Sequence, residues 1–466
     1  MIEKLSHKFT YLFLKYMPNA FVFALLLTLI TGLGALVWLD ISPLEIITSW
    51  HKGFFDLLSF AMQIVLIIIT GYCIALSPII KQGIDVLAKR ISSPSQVYIL
   101  IVFVGCILSL VSFGWIVITC VLARELAERI QGINYPFLVA CTYFSVNSWV
   151  LGLSSSIPLL LNTENNFLIE SGLLKSIIPT GDTLFSSLNL VMLLLFAIGG
   201  PLLMFLIHPK SSKDKELKDL LNKGESLLET QTIKEEANSI KLPFNAVSDK
   251  LNNSFLLQMI IVAIGFTYIL LHFSTKGLDL NFNIMIFIFI IIGLLLHRTP
   301  SRYVIAMKRS SSNISGILYQ YPFYAGIMGI MLYTGLGEEL GQVMASIANI
   351  DTYPFFAYLT GAIANFAIPS AGGEFAVVAP SLFNALNELG AGLPPEDMTA
   401  MISRASLSVA FGESLSNLLQ PFFLLLVLPV MGKGLKLQAR DIMGYLAIPF
   451  IIFFITQSLI VVFWPI

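Results

Sequence analysis

Apolar segments recur along the chain near residues 18–39, 55–78, 96–121, 134–161, 184–207, 253–273, 281–297, 313–334, 353–383, 397–431 and 441–464. Most reach the roughly 20 residues that carry a helix across a bilayer, and none alternates as a barrel strand would. The pattern predicts an all-α polytopic membrane protein. Four of the runs are interrupted by small polar residues. The interruptions are Ser112-Phe113-Gly114-Trp115, Gly152-Leu153-Ser154-Ser155-Ser156-Ile157-Pro158, Pro369-Ser370-Ala371-Gly372-Gly373-Glu374 and Gly412-Glu413-Ser414-Leu415-Ser416-Asn417. Irregular backbone survives at membrane depth only where protein or a water-filled cavity satisfies it. Breaks in paired positions of two halves therefore point to a binding site and to transport.

The halves echo each other at an offset of about 257 residues. Phe60-Ala61-Met62-Gln63 corresponds to Ile317-Leu318-Tyr319-Gln320, Gly105 to Gly361, Gly152-Leu153-Ser154 to Gly412-Glu413-Ser414, and Gly181-Asp182 to Arg440-Asp441. Lys and Arg concentrate in the stretches 4–15, 81–90, 124–129, 210–250, 298–309 and 433–440, whereas loops 162–182, 335–352 and 384–397 are acidic or neutral. The positive-inside rule places the first set in the cytoplasm and the second outside. That holds only if 96–121 and 353–383 are re-entrant hairpins. The expected architecture is two inverted-topology repeats, each with a hairpin and an interrupted helix, with about nine full spans plus the two hairpins. Residues 1–207 form the first repeat, its hairpin at about 96–127 opening to the cytoplasm. Residues 208–252 are a polar cytoplasmic linker and 253–273 a connecting transmembrane helix. Residues 281–466 form the second repeat, its hairpin at about 353–388 opening outside. The N-terminus is cytoplasmic and the C-terminus outside. The run 18–39 is long enough to span and reads as a first transmembrane helix rather than a leader. Stretches 79–91 and 336–348 read as amphipathic helices on opposite interfaces. In the linker, Leu220, Leu221, Leu227 and Leu228 would line one face of a short helix, in either a solvated connection or a docking element.

Composition agrees. Only 12% of the 466 residues are charged, about half the share of a soluble protein. The net charge of −1 argues against a nucleic-acid partner. Cys73, Cys106, Cys120 and Cys141 lie inside apolar stretches without metal-type spacing and read as small core residues. There is no Walker loop, no His-Glu-x-x-His and no Gly-x-Ser-x-Gly elbow, so neither an enzyme nor an ATP-driven pump is expected, and no cofactor.

The chemistry gathers at the breaks. The tip Ser370, Gly372 and Gly373 lets backbone amides approach a ligand, with Asn365 one turn before it and Glu374 just after. Ser112, Gly114 and Trp115 form the other tip, open between a pocket wall and plain core. Ser154, Ser155 and Ser156 offer hydroxyls and free amides, and Asn147 and Trp149 precede them by one to two turns. Ser414 and Asn417 are the second-half counterpart. Glu374 and Glu413 are intramembrane carboxylates, costly and functional by default, and are the candidates for coupling to H⁺ or Na⁺. Arg404 stays open between a partner for Glu413 or substrate and a snorkelling structural role.

With these residues the chain resembles the short-chain fatty acid transporter (AtoE-type) family of the ion-transporter superfamily, over essentially its whole length. The marks are Gly181-Asp182-Thr183-Leu184-Phe185-Ser186, Tyr321-Pro322-Phe323-Tyr324-Ala325-Gly326, Pro369-Ser370 with Gly372-Gly373, Gly412-Glu413 with Asn417 and Gln420-Pro421-Phe422, and Arg440-Asp441-Ile442-Met443-Gly444-Tyr445. The resemblance implies uptake of small monocarboxylates such as acetoacetate or butyrate across a bacterial inner membrane, and often a homodimer. Family members can carry His at the position of Glu374. An alternative is a carrier for another carboxylate or an amino acid within the superfamily; a channel is a further one.

Overall fold

Helix starts follow from capping chemistry. Asn19, Ser93, Asn134, Ser186 and Ser254 each accept the backbone N–H three residues on, from Val22, Gln96, Phe137, Asn189 and Leu257. Each satisfies a donor that a helix terminus leaves orphaned. The structure, a computed structural model, describes residues 2–56, 58–91, 93–153, 155–163, 166–170, 172–222, 231–277, 282–311 and 314–465. Among these the protein is helical without strands; one isolated antiparallel bridge joins Leu221 and Leu435. Among the described residues five helices are long and apolar enough to cross a membrane, or up to seven if each bent pair is one span. Such a chain is a multi-pass membrane protein.

The order of helices recurs. Pro43–Asp56, Leu58–Ala75, Pro78–Ala88, Pro94–Val111 and Ile116–Arg129 are followed by Tyr135–Val146. Later in the chain come Pro300–Ser310, Ser315–Tyr333, Leu336–Ser346, Tyr353–Ala364, Ala371–Leu389 and Pro395–Ser416 in the same sequence. Contacts recur as well: Pro94–Val111 packs on Tyr135–Val146 as Tyr353–Ala364 packs on Pro395–Ser416. Across the halves, Pro43–Asp56 packs on Ser315–Tyr333 as Pro300–Ser310 packs on Leu58–Ala75. The chain folds back at Ser112: a Cβ on Gly105 would lie 3.0 Å from Thr119, which one straight helix would hold about 20 Å away.

Glycines set the closest approaches. A Cβ on Gly53 would sit 2.6 Å from the Gly329 Cα, and the reverse is equally true. Two backbones from different halves thus touch without side chains between them, gaining dispersion contacts where lipid tails supply no hydrophobic drive.

Pro78–Ala88 and Leu336–Ser346 occupy the stretches read as amphipathic, and the first bends 69° from the helix before it. Ile2–Tyr16, Pro43–Asp56 and Pro300–Ser310 are further amphipathic helices that the apolar-run count passed over. The linker is anchored. Asn222 donates its N–H to the Gly434 carbonyl at 2.9 Å, Lys436 to that of Leu220 at 2.7 Å, and Arg309 pairs with Glu236. Leu221 lies in the bridge rather than on a helix face; Leu227 and Leu228 fall outside the described residues. The four cysteines are buried and free.

Gly53→Leu is expected to lower the unfolding midpoint of the detergent-solubilised protein, at a cost of about 1–3 kcal/mol from overpacking. Gly83→Ala, at a helical site with nothing within 4 Å of the added Cβ, leaves it unchanged or raises it. Equal loss from both would contradict the packing.

Candidate functional site

Tyr353–Ala364 stops at Asn365, and the helix resumes only at Ala371, because Pro369 offers no N–H and disfavours helical backbone before it. Ser370 occupies the N-cap in extended conformation but its hydroxyl makes no capping bond. Glu374, in the first turn, is fully buried, and both its carboxylate oxygens lack a hydrogen-bond partner. Gly372 faces the first half: its Cβ would lie 3.8 Å from the Ser156 Cβ. Gly373 lies against its own tip residue Ser370.

The second interrupted helix differs from expectation in where it breaks. Pro395–Ser416 runs unbroken through Gly412, Glu413 and Ser414, and the irregular stretch lies later, at Asn417–Phe423. Gly412 is there for packing, since its Cβ would meet the Tyr358 carbonyl oxygen at 1.9 Å. Pro421 ends the helix. The chain then bends by 46° into Leu424–Met431.

One side-chain amide holds both breaks together. Asn365 Nδ2 donates to the Glu413 carbonyl at 2.9 Å, Ser416 Oγ at 2.7 Å and Asn417 Oδ1 at 2.8 Å. Gln420 Nε2 returns to the Asn365 carbonyl at 3.0 Å and to Asn417 Oδ1 at 3.1 Å. The first half reaches in as well. Tyr143 OH donates to the Asn417 carbonyl at 2.8 Å and lies 3.2 Å from that of Gln420, while Ser414 Oγ donates to the Asn147 carbonyl at 2.5 Å.

In the first half every residue of Tyr135–Val146 is buried. A 3-10 turn, Asn147–Leu151, leads to the break, where Leu153 N–H donates to the Leu110 carbonyl at 2.7 Å. Asn147 uses its amide on the Tyr143 carbonyl, at 3.0 Å. Ser155 is buried with its hydroxyl unpaired, Ser156 opens Ser156–Leu161, and Ser154 lies outside the described residues. Phe113 is the aromatic that meets the centre, 5.3 Å from Trp149 and 5.5 Å from Phe423. Trp115 turns instead to the cluster of Ile74, Met285 and Phe289. Ser112 is buried at the tip, and Gly114 lies against Ile67. Phe375 packs on Phe383. Arg404 donates to the Trp464 carbonyl at 2.6 Å and leaves Glu413 without a partner.

The structure thus joins Asn147, Asn365, Glu413, Ser414 and Asn417 directly and sets Trp115 and Arg404 apart. Tyr143 and the donor role of Gln420 were not read from the sequence. Tyr143 sits in a wholly buried helix with no polar face to give it away; its only signal is the four-residue spacing to Asn147. Chemically the centre is rich in acceptors. Both carboxylates, Asn365 Oδ1 and Gln420 Oε1 are buried without donors. Two ionised carboxylates cannot stay so buried and unpaired at low cost, so the arrangement suits binding a proton or a hard cation.

The family model described as "Short chain fatty acid transporter" matches residues 1–464. The chain is 35% identical over 448 residues to a candidate short-chain fatty acid transporter of Escherichia coli (strain K12), covering 96% of each. It is 32% identical over 450 residues to one of Haemophilus influenzae, again covering 96% of each. Among solved structures it is similar to the Alcanivorax borkumensis YdaH transporter, at 17% identity over 98% of each chain with a TM-score of 0.46.

Asn365→Ala strips the donor from three buried acceptors and is expected to cost about 2–3 kcal/mol of stability. Asn365→Asp, which adds a further carboxylate, costs more at neutral pH than at pH 5. Thermal unfolding in detergent checks both, and indifference of Asn365→Ala would contradict the network.

Proposed function

Because the chain belongs to the short-chain fatty acid transporter family, whose members are transporters and not enzymes, we propose that it is an ion-coupled symporter for small monocarboxylates such as butyrate or acetoacetate. The observation that carries the coupling is the pair Glu374 and Glu413, both fully buried and without a hydrogen-bond partner. The substrate carboxylate meets the tip amides of Gly372 and Gly373 and the hydroxyls of Ser155 and Ser156. Its short acyl tail lies on Trp149 and Phe113. An anion entering beside two carboxylates is tolerated only when a positive charge accompanies it, and H⁺ or Na⁺ bound at the glutamates supplies that charge.

In this reading the recurring helices are inverted repeats, the folds at Ser112 and at residues 365–370 are the tips of re-entrant hairpins, and the protein sits in a bacterial inner membrane with its N-terminus in the cytoplasm. A cavity of about 530 Å³ at the start of Pro395–Ser416, with Lys175 in its wall, is the outer approach. A dicarboxylate carrier is disfavoured, since Arg404 is committed to the Trp464 carbonyl.

Proteoliposomes given labelled butyrate or acetoacetate are expected to show saturable uptake driven by a proton or a sodium gradient. No saturable uptake under either gradient contradicts the proposal. Glu413→Gln and Glu374→Gln are expected to abolish gradient-driven accumulation while leaving substrate counterflow. Accumulation undiminished in both would remove the glutamates from coupling.

A further inference from the structure

We propose a second binding site, for the phosphate headgroup of an anionic phospholipid, in a cavity remote from the glutamates. It rests on the membrane placement proposed above, not on the identity of the transported solute. The cavity, of about 550 Å³, lies where Leu58–Ala75 bends into Pro78–Ala88 and where Phe282–His297 ends. His297 Nε2 lies 2.8 Å from the Cys73 carbonyl. A carbonyl only accepts, so Nε2 carries the proton, and the bond ties the two helix ends into one wall.

The lining is apolar at Leu76 and Leu296 and basic at Lys81, Lys234, Arg298 and Arg302. Among the described residues one carboxylate, Asp85, lines the cavity, and it is held by Arg129 at 2.7 Å. Among the described residues Arg298 and Arg302 make no ion pair. Arg298 and Arg302 thus line the cavity without a carboxylate of their own among the described residues, an arrangement complementary to an external anion.

The backbone offers an independent sign. Arg298 has φ +66°, the left-handed conformation that follows many helix ends and normally falls to glycine. Its N–H donates to the Leu294 carbonyl, as such a terminus requires. An arginine there carries backbone strain that glycine would not, and strain of this kind collects at ligand sites. The guanidinium fork matches phosphate oxygens. A lipid rather than a soluble phosphate fits because the apolar wall continues into membrane helices, so acyl chains have somewhere to lie.

Protein in nanodiscs of phosphatidylcholine is compared with protein in discs containing phosphatidylglycerol or cardiolipin, and lipid retention is read by native mass spectrometry. Thermal unfolding is followed alongside. Wild type is expected to retain the anionic lipid and unfold at higher temperature with it, while inorganic phosphate at millimolar concentration has no such effect. Arg298→Gln with Arg302→Gln is expected to weaken retention about tenfold or more, since each basic residue contributes appreciably to headgroup attraction. Arg298→Gly relieves the strained backbone, so it folds at least as well in phosphatidylcholine yet loses part of the anionic-lipid response. Equal retention of both lipid classes, or variants that retain lipid like wild type, overturns the proposal. Stabilisation by phosphate alone replaces the lipid with a soluble anion and overturns it too. None of these outcomes depends on transport.

Discussion

A helix that breaks inside a membrane frees carbonyls and N–H groups that lipid cannot satisfy, and the rest of this fold is arranged around answering them. The answers come from side chains on other elements. Asn365 serves the Glu413 carbonyl, Tyr143 that of Asn417, Ser414 that of Asn147, and Gln420 that of Asn365. Asn189 likewise reaches the Leu151 carbonyl at 3.0 Å and the Leu184 carbonyl at 2.8 Å. At the end of Leu424–Met431, Arg124 and Tyr135 donate to the last carbonyls, where a cation also meets the negative end of the helix dipole. Each break is therefore stitched to another segment, and several stitches cross from one half of the chain to the other.

The same satisfaction leaves the glutamates conspicuous. The donors of Asn365, Gln420, Tyr143 and Ser414 are spent on backbone, hydroxyl and amide oxygens, and Glu374 and Glu413 keep none. A stable protein without a task for them would fill that space with apolar side chains, since an uncompensated buried carboxylate is a liability. In the proposed mechanism their occupancy by a cation, and its loss, is the variable that biases the surrounding breaks. The glycines fit the same logic: at Gly53 and Gly412 they bring backbones to near contact, so a small shift at the centre is felt by rigid neighbours.

Much of this was legible in the chain. Apolar runs located the long helices, Pro369 and Gly372-Gly373 marked one tip, and the two glutamates stood out because charge is rare in apolar sequence. What stayed hidden has physical reasons. The second interrupted helix breaks from Asn417 onward rather than at Gly412, because glycine serves either unwinding or close packing and only the opposing Tyr358 carbonyl decides which. Phe113 rather than Trp115 turns toward Trp149, and a short tip with two aromatics either side of a glycine carries no periodicity to say which faces inward. Pro43–Asp56 and Pro300–Ser310 are too short and too charged for an apolar-run count, yet they form contacts between the halves.

The central claim, that substrate binds between the tip at Ser370–Glu374 and the break at Ser155–Ser156, is tested most directly by a cryo-EM map of the protein with butyrate. Ligand density is expected there, its carboxylate toward the Gly372 and Gly373 amides and its tail toward Trp149 and Phe113. Density confined to any other site, with this one filled by side chains, would contradict it.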